Sequence, residues 1–400
     1  MAEQNKNSLI SVIAICNEIF TKNILNLDLI SESESESEMG ELYYMVQVSQ
    51  LRGKRKKNVR IEGYVDNVIP RFTTHHFKEH FRMTPRCFHL LENNLSLMLS
   101  KHNKIGRSYI SPRVQLLATL WLLATPDSYR SVGLKFNLAK SSLNHCVRRV
   151  VQVLCNISNN VIKWPSVNDM NTVTEKFKRI AGLNHVLGAI DGTHIEIPAP
   201  SVDTRSYLTR KCRYAVTLQA ICNADLYFTD CYVGYPGSVS DVRVFHNSDF
   251  WHNVNRNYRN FFPNEEYIIG DKAYPLYKWC LTAYRDNGHL SQVENNFNHI
   301  LSQTRQTIER AFALLKGRFK RLKYLDMTRV DLISQTILAC CVLHNICLQN
   351  IDDIENYILE GTEENQNIEI FEREEQHRDH DNEGAAKRNY LAICLYRERI

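Results

Sequence analysis

Two short apolar runs, HVLGAID at His185–Asp191 and EYIIGD at Glu266–Asp271, decide the fold. Each is too short for a stable helix, and each passes through a small residue to an aspartate, so both read as buried strands ending in a carboxylate. Between them AVTLQAICN (Ala215–Asn223) and LYFTDCYVG (Leu226–Gly234) read as a hairpin pair, and SDVRVFHNSDFW (Ser240–Trp251) as a helix. Further on, 306–322 reads as a long basic amphipathic helix whose Ile308, Phe312, Leu315, Phe319 and Leu322 make one buried stripe. The apolar ISQTILACCVLHNICL (Ile333–Leu348) follows as another helix. Strands mixed with crossover helices predict an α/β (α+β) mixed sheet flanked by helices over residues 183–350.

Upstream, residues 70–160 carry a helical pattern. Thr84 before Pro85 and Ser111 before Pro112 are N-caps followed by proline at the first helical position. Ser128–Leu154 reads as helix, tight turn, helix, the second starting near Ser141 and Ser142 and burying Leu143, Val147, Val150 and Leu154. Its other face shows Asn144, His145, Arg148 and Arg149, which suits a helix-turn-helix entering a DNA groove and equally an ordinary helical subdomain. Residues 1–60 are expected to be disordered, first acidic, with the repeat SESESESE (Ser31–Glu38), then basic, with RGKRKK (Arg52–Lys57). That basic run fits a nuclear import signal or a clamp on a DNA backbone, so the nucleus is the expected compartment. The acidic segment 351–400 is expected to be a largely disordered tail.

The 400 residues are 44% hydrophobic and 23% charged, which excludes a wholly disordered or collagen-like chain. No apolar run is expected to reach the roughly 18–20 residues of a membrane span, and the 12 scattered cysteines fit reduced thiols, so a soluble intracellular protein is expected. The net charge of +5 hides an asymmetry: 51–350 is strongly basic and both ends are acidic. A basic body between acidic tails is what a polyanion-binding protein needs, because each phosphate contact by Lys or Arg releases condensed counterions.

Neighbouring strands would bring Asp191 and Asp271 to one mouth at their carboxyl ends. Glu309, at the border of its helix's buried stripe and in line with Arg305, Lys316 and Lys320, adds a third acid with cations around it. Carboxylates converging in a basic surround can hold two Mg2+ or Mn2+ ions, which in phosphoryl transfer sit roughly 3.5–4 Å apart. Asp241, at an apparent helix start, is either a helix-dipole partner or a further ligand. His194 is expected to be structural or supportive. Lys272 is as fit for solvent as for phosphate, and Cys340, Cys341 and His344 lack paired metal spacing.

Six blocks carry a resemblance: AIDGTHIEIPAP (189–200), TRKCRYAVTLQAICN (209–223), GYPGSVSDVRVF (234–245), GDKAYPL (270–276), NHILSQTRQTIERAFALLKGRFKRLK (298–323) and LACCVLHNI (338–346). In this order they resemble the nuclease domain of Harbinger transposases and Harbinger transposase-derived nucleases, from about Leu183 to Asn350. The resemblance implies a ribonuclease-H-like fold with a DDE site that cuts and joins DNA using divalent metal. By motif it assigns Asp191, Asp271 and Glu309 as the catalytic acids and Asp241 to the same metal cluster. Cys212 and Ala313 depart from the family's RKG and ERAFG without removing an acid. A Myb-like DNA-binding partner is also implied.

The function expected is that of a metal-dependent DNA endonuclease or strand transferase, able to self-associate. Arg305, Lys316 and Lys320 would track the phosphodiester backbone, and Arg148 and Arg149 would help place the duplex. The rivals are a catalytically silent nuclear DNA-binding or adaptor protein, and a phosphohydrolase of small phosphates.

Overall fold

The computed structural model describes residues 59–100, 109–286, 288–327, 329–349, 354–362 and 381–398. The SESESESE and RGKRKK segments lie outside the described residues. Six α-helices of at least seven residues come first: α1 (Thr74–Phe81), α2 (Pro85–Leu99), α3 (Pro112–Ala124), α4 (Tyr129–Lys135), α5 (Lys140–Asn156) and α6 (Val167–Ala181). The Thr84 side chain accepts from the Cys87 N–H at 3.1 Å, and Ser111 caps α3 in the same way. Each cap satisfies an amide that the first helical turn leaves without a partner. α3 is buried along nearly its whole length, and α5 buries Leu143, Val147, Val150 and Leu154 as the spacing predicts. α5 begins at Lys140, before the two serines, with Ala139 at its cap.

The sheet has the order β3-β2-β1-β4-β5, with β1 (Val186–Glu196), β2 (Ala215–Cys222), β3 (Phe228–Pro236), β4 (Tyr267–Ile269) and β5 (Cys280–Leu281). β2 runs antiparallel to both of its neighbours, β1 and β3, while β4 and β5 run parallel to β1, giving the mixed ribonuclease-H-like sheet. Two helices of at least six residues follow β3: α7 (Asp241–His246) and α8 (Asp249–Arg256). The long α9 (Gln292–Arg318) starts at a Ser291/Glu294 capping box, well before the basic run, and α10 (Val330–Leu348) packs against α5 and β3. Ala189 and Ile195 of β1 face a core shared with α3, α5, α9 and α10, whereas Leu187 and Ile190 face a second cluster with Phe245 and Phe250. One core thus runs from the helical region into the sheet.

Two expectations change here. α10 is a 19-residue run apolar enough for a membrane span, the only such helix among the described residues, yet most of it is buried inside the protein. Each fully buried Leu or Ile on it contributes roughly 1.5–3 kcal/mol to packing, the ordinary use of such a helix in a core. The segment expected to be a largely disordered tail carries α11 (Glu355–Thr362) and α12 (Asn382–Arg397). The acid count concealed the apolar residues that dock them: Tyr357 and Ile358 on α11, Ala392 and Leu395 on α12. The 11 cysteines among the described residues are free.

Candidate active site

Asp191 does not end its strand. β1 continues to Glu196 because β2 pairs with it all the way, whereas β4 stops at Ile269, opposite Ala189. Past that point one side of β1 has no strand beside it until Tyr324 bridges Glu196, and Asp191 stands at this opening, with Asp271 two residues beyond the end of β4. The expected mouth therefore exists, made by a short neighbouring strand and not by two strand ends. Asp191 shares the sheet face of Ala189 and Ile195, the face on which α9 packs.

The partner of Asp191 comes from α9. Arg305 Nη2 donates to Asp191 Oδ2 at 2.8 Å and lies 3.2 Å from Glu309 Oε1, one turn along the helix. The Gly192 N–H donates to Asp191 Oδ1 at 2.8 Å. Burial still raises the Asp191 carboxyl above its ordinary range against the pull of Arg305 and this N–H, and the charge of Asp271 adds to the rise. Asp271 Oδ1 accepts from the Lys272 N–H at 2.7 Å, while the Lys272 side chain is exposed. Glu309 is the most open of the three acids, its side chain 55% exposed.

Asp241 reaches β1 from the other face. A methyl group on Gly192 would overlap the Asp241 carboxylate, so the glycine of AIDGTH permits this close approach. Tyr274 is buried next to these groups; burial raises its hydroxyl's pKa, and the charges of Asp241, Asp191 and Asp271 add to the effect. Sequence reasoning passed over Tyr274, although it lies in the same GDKAYPL block as Asp271.

The expected DNA-contacting cations separate into four groups. Arg305 is only 16% exposed and is bound to the acids, a correction to its reading as a backbone-tracking cation. Lys316 Nζ donates to Thr193 Oγ1 at 2.7 Å and to the His194 carbonyl at 3.0 Å, beside the mouth. Lys320 is paired with Glu360 of α11 at 2.9 Å. On α5, Arg148 is exposed and Arg149 half-buried, and neither has an ion pair among the described residues. Cys340, Cys341 and His344 are buried in α10, where the His344 Nε2 faces the Leu226 carbonyl at 2.9 Å and burial lowers its pKa to about 3.

A cavity of about 430 Å³ opens at the β3 edge of the sheet, lined by Asp230, Tyr232, Asp249 and Asn253 and containing none of the four acids. Burial, helped by the charge of Asp249, pushes the Asp230 carboxyl up to about 7. A folded pKa above the unfolded value of about 3.9 gives stability that is complete below pH 4 and lost as pH rises through 7. Asp230→Asn is therefore expected to be more stable than wild type at pH 8, by on the order of 2–4 kcal/mol, with the gain vanishing near pH 4. Urea unfolding at the two pH values checks this; an equal gain at both pH values would refute it.

Among the described residues no three carboxylate, imidazole or thiol side chains close on one point as a finished metal cage. The donor set nevertheless fits a hard divalent cation: carboxylate oxygens, with a guanidinium already standing as counter-cation between Asp191 and Glu309.

Residues 190–345 match the family described as DDE superfamily endonuclease. The chain is 30% identical over 248 residues to the Arabidopsis thaliana protein ALP1-like, covering 58% of this chain and 60% of that protein. It is 28% identical over 277 residues to HARBI1 of Rattus norvegicus, named as a candidate nuclease, covering 68% of this chain and 77% of that one. With HARBI1 of Homo sapiens the identity is 27% over 298 residues, or 73% and 83% of the two chains. No solved structure matches the chain at a significant level. The DDE match covers the stretch that holds Asp191, Asp241, Asp271 and Glu309, so across its candidate site the chain is similar to the DDE superfamily endonucleases and, at 27–28% identity, to HARBI1.

Proposed function

We propose that this protein is a divalent-metal-dependent DNA endonuclease, able to act as a strand transferase, with Asp191, Asp271 and Glu309 as its catalytic acids and Asp241 as a further ligand. The observation that carries the reading is the meeting of Asp191 and Glu309 on Arg305 at the open end of β1, with Asp271 close enough to act on both Asp191 and Arg305. When bound there, Mg2+ or Mn2+ supplies activation of a water or 3′-hydroxyl and neutralisation of the leaving oxygen. The chain's own residues do the positioning. The Gly192 N–H fixes the orientation of the Asp191 carboxylate, and Gly192 itself leaves room for Asp241. Lys316, held between Thr193 and the His194 carbonyl, puts a positive charge beside the acids where a phosphodiester would lie. DNA as substrate, the nucleus as compartment, a Myb-like partner and self-association belong to the same proposal.

Titration of the full chain with Mn2+, followed by the electron paramagnetic resonance signal of the free ion, tests the ligand set. Wild type is expected to bind, and Gly192→Ala, which forces Asp241 aside, to bind about 10–100-fold more weakly. Equal affinity in the two would remove Asp241 from the site, and no binding by wild type would remove the metal.

A further inference from the structure

The helix α11 lies across α9 at very short range. A methyl on Gly317 would overlap the Tyr357 carbonyl, and one on Gly361 would overlap the carbonyl of Ala313. Two glycines facing each other's helix let the backbones touch, and the Tyr357 ring is held between Arg82 and Arg318, whose guanidinium carbons lie 5.5 and 4.7 Å from its centre. This crossing fixes where the acids of α11 fall. Arg82 Nη1 donates to both carboxylate oxygens of Glu360, at 2.9 and 3.1 Å, and Lys320 Nζ lies 2.9 Å from the same group. Lys323 Nζ donates to the Glu360 carbonyl at 2.8 Å, and Arg310, next to Glu309, donates to Glu355 at 2.7 Å.

One carboxylate gripped by an arginine and a lysine has the contact pattern of a phosphodiester oxygen pair. A cavity of about 530 Å³ opens beside it, lined by Ser128, Lys320, Arg321, Lys323 and Tyr324 together with Glu360. Lys316 lies seven residues or two turns beyond Glu309 on α9, on the order of 10 Å, and Lys320 follows past the helix end at Arg318, where Phe319 takes the chain out of helical geometry. The spacing from Glu309 to Lys316 is about three base-pair steps of duplex at 3.4 Å each. A strand with its scissile phosphate at the acids and running along Lys316 would bring a further phosphate to this place.

We propose that Arg82, Lys320 and Lys323 form a DNA-phosphate subsite that Glu360 occupies in the free protein, making α11 a built-in competitor for the duplex. The inference rests on the DNA reading above and adds to it where the strand runs and what limits its binding. Only the Glu360 side chain has to swing away; the glycine-packed backbone of α11 stays in place. Glu355 acts in the same sense on Arg310, and its carboxylate is 64% exposed, so its replacement leaves the core untouched.

Duplex binding by the full chain is measured by fluorescence anisotropy over a range of salt concentrations, for wild type, Glu360→Gln, Glu355→Gln and the double variant. The double variant is expected to bind about tenfold more tightly near 150 mM salt, with log K falling more steeply against log salt by about one. Lys320→Gln in the Glu360→Gln background is expected to cancel the gain. Glu355→Gln reports on the same mask should Glu360→Gln lower the melting temperature. Duplex binding by wild type with no gain in any variant overturns the subsite and leaves the DNA reading standing. No duplex binding by any of them overturns both.

Discussion

Asp191→Ala is expected to lose metal-dependent nicking of duplex DNA by at least about 10³-fold, some 4 kcal/mol of transition-state stabilisation, while duplex binding is unchanged or tighter. The two effects separate because the carboxylate stands at the mouth beside Lys316 and Arg305, where a phosphate must approach. Removing it takes away an acid and also a negative charge facing the substrate. Single-turnover nicking and anisotropy on the same preparation test both halves. Loss of binding in step with cleavage would mean that Asp191 supports the fold and not the chemistry.

The second large effect is on stability. Arg305→Met is expected to lower the unfolding free energy by about 2–4 kcal/mol at pH 7 in EDTA, because it leaves Asp191 mostly buried, 19% exposed, without its cation. The sign with pH follows from the raised Asp191 carboxyl, which rises further in the variant. Stability linked to such a group is complete below its unfolded value of about 3.9 and is lost as pH rises through the folded value, so the deficit shrinks towards pH 4 and is full at neutral pH. Denaturant melts at pH 4 and 7 measure it. An equal deficit at both pH values would assign the loss to packing of the arginine stem and not to the ion pair.

Much of this site was legible in the sequence, for physical reasons. Apolar runs of strand length flanked by turn residues marked β1 and β4, and Ile308, Phe312 and Leu315 of the expected stripe marked the buried face of α9; Phe319 and Leu322 are buried just past its end, where the helix stops at Arg318. Glu309 at the border of that stripe had to look towards the sheet. Two features were beyond local pattern. The end of β1 depends on how far β2 pairs with it, a tertiary matter that no window of sequence contains. The partner of Arg305 depends on a strand more than a hundred residues away, so its position on a cationic line suggested DNA where the fold supplies Asp191. The acidic tail was misread because composition averages over the few apolar residues and glycines that dock α11 and α12.

Incubation of the full-length wild type with supercoiled plasmid in Mg2+, Mn2+ or EDTA, beside Glu309→Gln, tests the central claim most directly. Relaxed circles formed with either metal, absent in EDTA and absent with the variant, are the predicted result. Persistent duplex binding without nicking in either metal, with a Myb-like partner added as well, would contradict it and make the chain a catalytically silent DNA-binding protein.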